Sequence, residues 1–188
     1  MKINAIDIRP GFVLENGGRL MLVLKREIVQ PGKGGAFTQI EMRDIKTGTK
    51  TIERYRTQET VERAQLEEKE MQYLYMDGNT ATFMDSETFE QLGVDRELIG
   101  EAADFLQENM VCTVETFEGA PLSVTLPTSV ILEVVEADPV VKGQTASSSY
   151  KPGKLENGRR VMIPPHIGAG TRIVVNTVDG TYIERAKD

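Results

Sequence analysis

The segment Pro31–Gly35 has the most suggestive chemistry in the sequence, because it places one lysine, Lys33, among three glycines. Glycine permits a positive φ and the close approach of another surface, and proline ends a strand because it cannot donate to a ladder. Since the β-like runs Arg19–Val29 and Ala36–Asp44 flank the segment, we predict a hairpin whose tip presents a single primary amine. Such an amine suits insertion into a partner or chemical extension. A solvated lysine on a tight turn is the plainer interpretation, and the segment alone favours it.

The other reactive residue types form no recognisable catalytic or metal-binding motif. His166 is the single histidine and Cys112 the single cysteine, so a histidine cluster, an internal disulfide and a multi-cysteine metal site are excluded. We expect a surface or structural role for His166 and a buried, unreactive thiol for Cys112. No pair of carboxylates stands in a setting typical of general acid–base catalysis. We therefore predict no catalytic residues, no metal, no cofactor and no enzyme activity.

Two further clusters have simple structural interpretations. Glu67, Glu68 and Glu70 are expected to form a solvated acidic face. Tyr73 and Tyr75 alternate within a strand-like run, which predicts that both rings lie on one face of the strand and pack in the core.

The composition is typical of a globular chain, with 39% hydrophobic and 27% charged residues among 188. No apolar run approaches the roughly 20 residues that cross a bilayer, and the first residues lack the pattern of a signal peptide. We therefore expect a cytoplasmic protein without membrane association.

The net charge of −7 is distributed unevenly. Residues 1–64 carry 12 Lys and Arg against 8 Asp and Glu, residues 65–127 carry 2 against 14, and residues 128–188 carry 8 against 7. The two ends can contact phosphate while the middle is repelled by it. This distribution disfavours a general nucleic-acid coat but is compatible with docking on RNA at selected points.

Short alternating runs separated by turn signals predict an all-β protein of three small β-barrels. We place a first, SH3-like barrel carrying the Lys33 loop at residues 1–64, an acidic OB-type barrel at 65–127, and a second OB-type barrel at 128–188. The middle barrel is expected to contain two helices, one capped by Ser86 over residues 87–92 and one capped by Asp95 over residues 96–107. The predicted strands are Phe12–Leu14, Leu20–Lys25, Phe37–Arg43, Lys50–Arg56, Met71–Met76, Thr80–Met84, Val111–Phe117, Leu122–Leu126, Val130–Val135, Val161–Ile163, Arg172–Asn176 and Thr181–Ile183.

Several motifs spread over the chain resemble bacterial elongation factor P. The string Pro31–Phe37 resembles the tip loop of that family, and Tyr73–Gly78 and Met84–Leu92 resemble its middle domain. The C-terminal third has the family's signature spacing at Lys151, Gly158, Val161, Pro164, Gly170, Val175–Thr177, Gly180–Tyr182 and Arg185. Because independent motifs agree over essentially the whole chain, the resemblance outweighs the plainer interpretation of Lys33.

The resemblance implies a KOW-type N-terminal barrel and two OB-type barrels in an L-shaped, tRNA-like arrangement. It implies a monomeric factor that binds the ribosome between the sites for peptidyl-tRNA and exit-tRNA. Such a factor stimulates peptide-bond formation and relieves stalling at consecutive prolines, and it has no reaction of its own.

The resemblance also assigns residues that contact tRNA. Lys33 is the residue that reaches the acceptor end of the peptidyl-tRNA, and in this family it is commonly lengthened by a lysine-modifying enzyme, through β-lysylation or the addition of an aminopentanol group. Tyr182 and Arg185 match positions that contact the anticodon stem. The other members of the tip loop are Pro31, Gly32, Gly34 and Gly35.

Some positions depart from the family's pattern. The loop Gly143, Gln144 and Thr145 aligns with a segment that approaches exit-codon RNA, but Gln144 replaces an acidic residue there. His166 stands where the signature usually has Phe, and Gly153 where it has Ala; both departures concern local packing more than function.

Three alternatives remain open at the level of sequence. One is an elongation-factor-P-like paralogue, whose tip usually lacks this arrangement around Lys33. A second is a general RNA-binding module of SH3-like and OB barrels. The third is an enzyme, which the missing acid–base constellation disfavours.

Overall fold

Strands dominate the described residues, 1–139 and 149–187, of this computed structural model. They form three sheets of six, five and five strands, and helix is limited to one short α-helix and two 3-10 segments. The prediction of an all-β protein is confirmed. In the same described ranges, no helix is long and apolar enough to cross a membrane.

The chain divides into two compact units. The first comprises Met1–Glu67 with Thr116–Leu122, and the second comprises Glu68–Glu115 with the described residues of Ser123–Asp188. The division into three domains at residues 64 and 127 stays a prediction.

The first sheet contains the strand pair that carries the tip loop. Its strands are β1 (Lys2–Asn4), β2 (Val13–Asn16), β3 (Arg19–Val29), β4 (Phe37–Asp44), β5 (Lys50–Arg56) and β6 (Thr60–Arg63), in the order β1-β6-β2-β3-β4-β5. Val23, Ile40 and Met42 are fully buried on the inner face of β3 and β4. The short strands β1 and β6 were not predicted, because each lacks a long alternating run and forms by pairing with the other.

The second sheet has five strands and the only α-helix of the described chain. Its strands are β7 (Glu67–Asp77), β8 (Thr80–Asp85), β9 (Gln91–Asp95), β10 (Val111–Phe117) and β11 (Ala120–Thr125), in the order β11-β10-β7-β8-β9. The helix α1 (Arg96–Ile99) follows β9 and continues into a 3-10 helix, Gly100–Phe105.

The two helix predictions for this region differ in outcome. The helix over residues 87–92 is wrong, because the Asp85 carboxylate accepts the backbone N–H groups of Glu87 and Thr88 at 2.8 and 3.2 Å and closes a turn instead. The cap at Asp95 is confirmed, since its side chain accepts the N–H of Glu97 at 2.9 Å. The helix is nevertheless much shorter than residues 96–107, because Gly100 takes a φ of 74° and ends it at Ile99.

The third sheet lies in the C-terminal part of the second unit. Its strands are β12 (Ser129–Ala137), β13 (Lys151–Leu155), β14 (Arg160–Ile163), β15 (Arg172–Asn176) and β16 (Tyr182–Arg185), in the order β14-β13-β12-β15-β16. Strand β13 was not predicted because Pro152 and Gly153 are typical strand breakers. Phe83 and Phe105 from the middle of the chain share one buried cluster with Leu155 and Ile173.

The same hairpin turn occurs once in each sheet. It begins at Asp44, Asp85 or Asn176, whose side-chain oxygen accepts the N–H groups two and three residues later. The N–H of the fifth residue donates to the carbonyl of the first at 2.8–2.9 Å. The fifth residues have φ values of 76°, 62° and 73°, and they are Gly48, Phe89 and Gly180. The sequence shows no repeat of fixed period, yet the three sheets share this local device.

Candidate RNA-contacting sites

The tip loop is the turn of the β3–β4 hairpin. The last pair of this hairpin is Val29 opposite Phe37, and all residues of Pro31–Gly35 are exposed. Within the described part of the chain, Lys33 forms no hydrogen bond and no ion pair. The loop therefore presents one primary amine at the end of a long strand pair, as the sequence predicts.

The glycines of the loop have two different physical roles. Gly34 takes a φ of 113°, which strains any other residue, and a Cβ there would lie 4.0 Å from the Cγ of Pro31. A Cβ at Gly32 or Gly35 would meet no atom of the protein within 4 Å. At these two positions the chain itself has room for a side chain, so the advantage of glycine there is the close approach of another molecule.

The base of the hairpin is held by contacts between β4 and β5 and by one contact within β5. The guanidinium of Arg54 lies 5.0 Å from the centroid of the Phe37 ring, and its Nε donates to the side chain of Gln39 at 3.3 Å. The Tyr55 hydroxyl donates to Glu53 at 2.5 Å. Burial, followed by this hydrogen bond, raises the pKa of Tyr55, so the phenol stays neutral and remains a donor. These contacts give the exposed loop a fixed base.

A β-bulge determines where the candidate residues of β16 point. Tyr182 pairs with Val175 and Arg185 pairs with Ile173, and the register shifts between them so that Ile183 is the extra residue. Residues three apart on a regular strand lie on opposite faces. Because both partners on β15 belong to the buried face, the bulge brings Tyr182 and Arg185 to the same face of the sheet.

The two residues of β16 differ in how they are held. Tyr182 is half-buried and packs against the core of the second unit, whereas Arg185 is exposed. No ion pair or hydrogen bond of the Arg185 side chain is present among residues 1–139 and 149–187. Tyr182 is thus an anchored ring beside a cation that is available to a partner.

Tyr150 is a residue of this site that the sequence analysis did not identify. Its ring lies 6.2 Å from the ring of Tyr182, centroid to centroid, at an interplanar angle of 84°. Its only signal in the sequence is weak: Tyr150 stands directly before the signature residue Lys151. The loop of Gly143, Gln144 and Thr145 lies outside the described residues.

Cys112, His166 and Gly153 are further residues that the sequence singles out. Cys112 is 1% exposed, which confirms the predicted burial, and burial raises the pKa of its thiol to about 11, so little of it is thiolate at neutral pH. His166 is exposed on the surface. A Cβ on Gly153 would lie 2.8 Å from the Cδ1 of Ile163, so this chain's packing uses the missing methyl group. Among the described residues, no group of three or more His, Cys, Asp or Glu is arranged to hold a metal ion.

The acidic and aromatic clusters of β7 behave differently. Glu67, Glu68 and Glu70 are exposed, as predicted. Tyr73 is buried and its ring lies 5.6 Å from that of Phe83, but Tyr75 is 52% exposed. The prediction that both tyrosines face the core is wrong, because a bulge between them reverses the alternation of the strand.

Comparison with known proteins identifies the class of protein to which these barrels belong. Residues 4–61 match the family profile described as the elongation factor P KOW-like domain, residues 66–124 match the elongation factor P OB domain, and residues 130–185 match the elongation factor P C-terminal domain. A KOW-like domain followed by OB domains in this order defines a β-barrel translation factor.

Full-length relatives identify the particular family. Proteins named elongation factor P from Rhodospirillum centenum and Rhodospirillum rubrum are each 62% identical to the chain, and one from Gluconacetobacter diazotrophicus is 60% identical. In all three cases the match covers 100% of both chains. The chain belongs to the elongation factor P family.

A solved structure provides a likeness in fold alone. The eukaryotic translation initiation factor 5A from Methanococcus jannaschii superimposes with a TM-score of 0.53 at 20% identity. The match covers 67% of this chain and 94% of that chain.

Proposed function

We propose that this elongation factor binds the ribosome between the sites for peptidyl-tRNA and exit-tRNA and relieves stalling at consecutive prolines. The observation that carries the proposal is Lys33, an exposed amine on a glycine loop at the end of the β3–β4 hairpin. The partners in this proposal are ribosomal RNA and proteins, the peptidyl-tRNA, and a lysine-modifying enzyme, and the factor acts in the cytoplasm as a monomer.

The chemistry of proline explains why a positioning factor is useful. Proline is a ring-constrained secondary amine, and it also restricts the conformation of the residue before it. A nascent chain that ends in prolines can therefore hold the reacting carbonyl and amine out of line. A factor that orders the acceptor end of the peptidyl-tRNA restores the geometry of attack, and its contribution is entropic. The ribosome remains the catalyst, and Lys33 takes no part in bond making.

The proposal is tested by the synthesis of a reporter with and without a run of prolines on purified ribosomes. We expect the natively modified factor to accelerate synthesis of the proline-containing reporter only, and Lys33→Ala to abolish that acceleration. Lys46→Ala is the matched control, since Lys46 is also an exposed lysine in a β-hairpin turn of the same sheet. Equal rescue by Lys33→Ala and wild type would overturn the proposal. A general RNA-binding module would leave both reporters unchanged.

We further propose that Lys33 is modified in its native host by a group that retains a positive charge. A cation is favoured near RNA phosphate, and no neighbouring side chain in the described chain would compete for it. Cleavage after glutamate isolates residues 28–41, a peptide in which Lys33 is the only basic residue. Mass spectrometry of this peptide should show an added mass and a retained basic group. An unmodified peptide from fully active protein would refute the modification.

A further inference from the structure

Tyr150 and Tyr182 form an aromatic pair on the C-terminal sheet. Their ring centroids are 6.2 Å apart and their planes are nearly perpendicular, at 84°. Tyr182 packs against the core, whereas Tyr150 is 52% exposed. The pair therefore joins an anchored ring to an accessible one.

This geometry prepares an aromatic surface for a planar ligand. In an edge-to-face pair, the ring that presents its edge keeps both of its π faces clear of its partner. Contact with an anchored ring also limits the orientations of an exposed side chain, which reduces the entropy lost when a ligand stacks on it. An exposed tyrosine without such support would lose more rotamer freedom on binding.

The surroundings of the pair favour RNA as the ligand. Lys151 follows Tyr150 directly, and its ammonium donates to the carbonyl of Asp138 at 2.7 Å, which ties the start of β13 to the end of β12. Arg185 lies on the same face of β16 as Tyr182, as the bulge at Ile183 requires. A cation for phosphate, here Arg185, beside a ring for stacking is the combination with which proteins bind unpaired nucleotides.

We propose that Tyr150 is a further RNA-contacting residue, which stacks on a nucleobase of the anticodon arm of the tRNA in the peptidyl site. The inference rests on the proposed function, because that function supplies the tRNA. It extends the candidate site from Tyr182 and Arg185 on β16 to the start of β13.

The test is the affinity of the full-length factor for ribosomes that carry prolyl-tRNA in the peptidyl site, compared with ribosomes whose peptidyl site is empty. We expect Tyr150→Ala to raise the Kd about tenfold on the tRNA-carrying ribosomes and less than twofold on the empty ones. Tyr150→Phe retains the ring and should stay within twofold of wild type on both. Tyr75→Ala is the matched control, because Tyr75 is also 52% exposed but has no place in this pair.

The outcomes separate this inference from the proposed function. If wild type accelerates proline–proline bond formation but Tyr150→Ala binds as wild type does, only the inference about Tyr150 fails. It also fails if the loss is equal on empty ribosomes, since the base would then belong to ribosomal RNA, or if Tyr150→Phe weakens binding as much as Tyr150→Ala. If wild type neither accelerates the reaction nor distinguishes the two kinds of ribosome, both proposals fail. Thermal unfolding of each variant excludes loss of the fold as the cause.

Discussion

At the scale of single residues, Lys33 and Arg185 are two of several exposed cations that have no internal partner in the described part of the chain. Many cations of the chain are engaged: Lys25 lies 2.7 Å from Glu27, and Arg159 lies 3.1 Å from Asp104. Within residues 1–139 and 149–187, neither Lys33 nor Arg185 has such a partner. A charged side chain without an internal partner contributes little to folding, so its replacement should change stability little.

Arg185 offers a prediction at this scale. Arg185→Ala should weaken ribosome rescue about tenfold, as expected for one charge-assisted contact, while the free energy of unfolding changes by less than about 0.5 kcal/mol. Rescue is measured with the proline reporter, and stability by urea unfolding. Lys187→Ala, which removes an exposed cation close by, serves as the control. Parallel losses of stability and rescue in Arg185→Ala would show that the residue is structural.

At the scale of elements, the turn shared by the three sheets decides where edge strands begin. In each case an Asp or Asn side-chain oxygen accepts backbone N–H groups and closes the turn, and the next strand follows. The turn after Asn176 has Gly180 at its positive-φ position and leads to β16 with Tyr182. Only the turn after Asp85 has a side chain at that position, Phe89.

Phe89 is therefore a position where substitution should stabilise the protein. The residue takes a φ of 62° and is 68% exposed. Its left-handed backbone conformation is therefore strained, and burial of the ring does not offset the strain. Phe89→Gly should increase the free energy of unfolding by up to about 1 kcal/mol, measured by urea denaturation. Phe89→Ala keeps a Cβ at the strained position and should show no comparable gain. A gain of equal size in both variants would point to the exposed ring rather than the backbone.

Asp85 makes the stability of the same turn depend on pH. Backbone N–H donors, first that of Glu87 and then that of Thr88, lower the pKa of Asp85 below its ordinary value near 4, and Lys69 at 3.9 Å adds to the effect. Because the folded pKa is the lower one, the stabilisation is complete above the ordinary pKa and is lost as pH falls through the folded pKa. Asp85→Asn keeps the acceptor oxygen, as Asn176 does in its own turn, but cannot titrate.

The free energy of unfolding of Asp85→Asn should therefore fall less than that of wild type between pH 4 and pH 2. Urea unfolding at a series of pH values measures the difference in slope. The control is Asp7→Asn, since the Asp7 side chain accepts no backbone hydrogen bond in the described chain. An unchanged slope in Asp85→Asn would mean that the turn does not stabilise the carboxylate.

At the scale of the whole molecule, an ionic cluster joins two parts of the second unit. Asp104, in the 3-10 helix after α1, pairs with Arg96 from its own region and with Arg159 from the turn between β13 and β14. The side chain of Asn157 donates to the Asp104 carbonyl at 2.9 Å, and the Arg159 guanidinium lies 5.1 Å from the Phe105 ring. The strongly acidic middle of the chain is thus held to the C-terminal sheet by a cation that the C-terminal part supplies.

A double-mutant cycle measures this link. Asp104→Ala and Arg159→Ala should each destabilise the protein by about 1–2 kcal/mol, and the double variant by about 1 kcal/mol less than their sum. The side chains are 31% and 29% exposed, so the coupling should shrink in 1 M NaCl. Additive effects at low salt would show that the two charges do not stabilise each other.

Much of the architecture followed from local patterns in the sequence. Alternation predicted β10 and β15 to the residue, and the proline and glycines around Lys33 predicted the tip of the hairpin. The cap at Asp95 and the burial of Cys112 were likewise predicted from neighbouring residues alone. These predictions succeed because side-chain period, turn chemistry and hydropathy act over a few neighbouring residues.

The tertiary structure decided which face of a strand certain side chains occupy, because that depends on the register with a partner strand. Bulges at β7 and β16 exposed Tyr75 and brought Tyr182 and Arg185 to one face, and a bulge is visible only against the partner strand. The edge-to-face pair of Tyr150 and Tyr182 joins residues that are 32 positions apart. The sequence by itself therefore determined the family, most of the strands and the exposed lysine. Long-range strand pairing determined the remaining strands and which side chains stand together at the candidate RNA contacts.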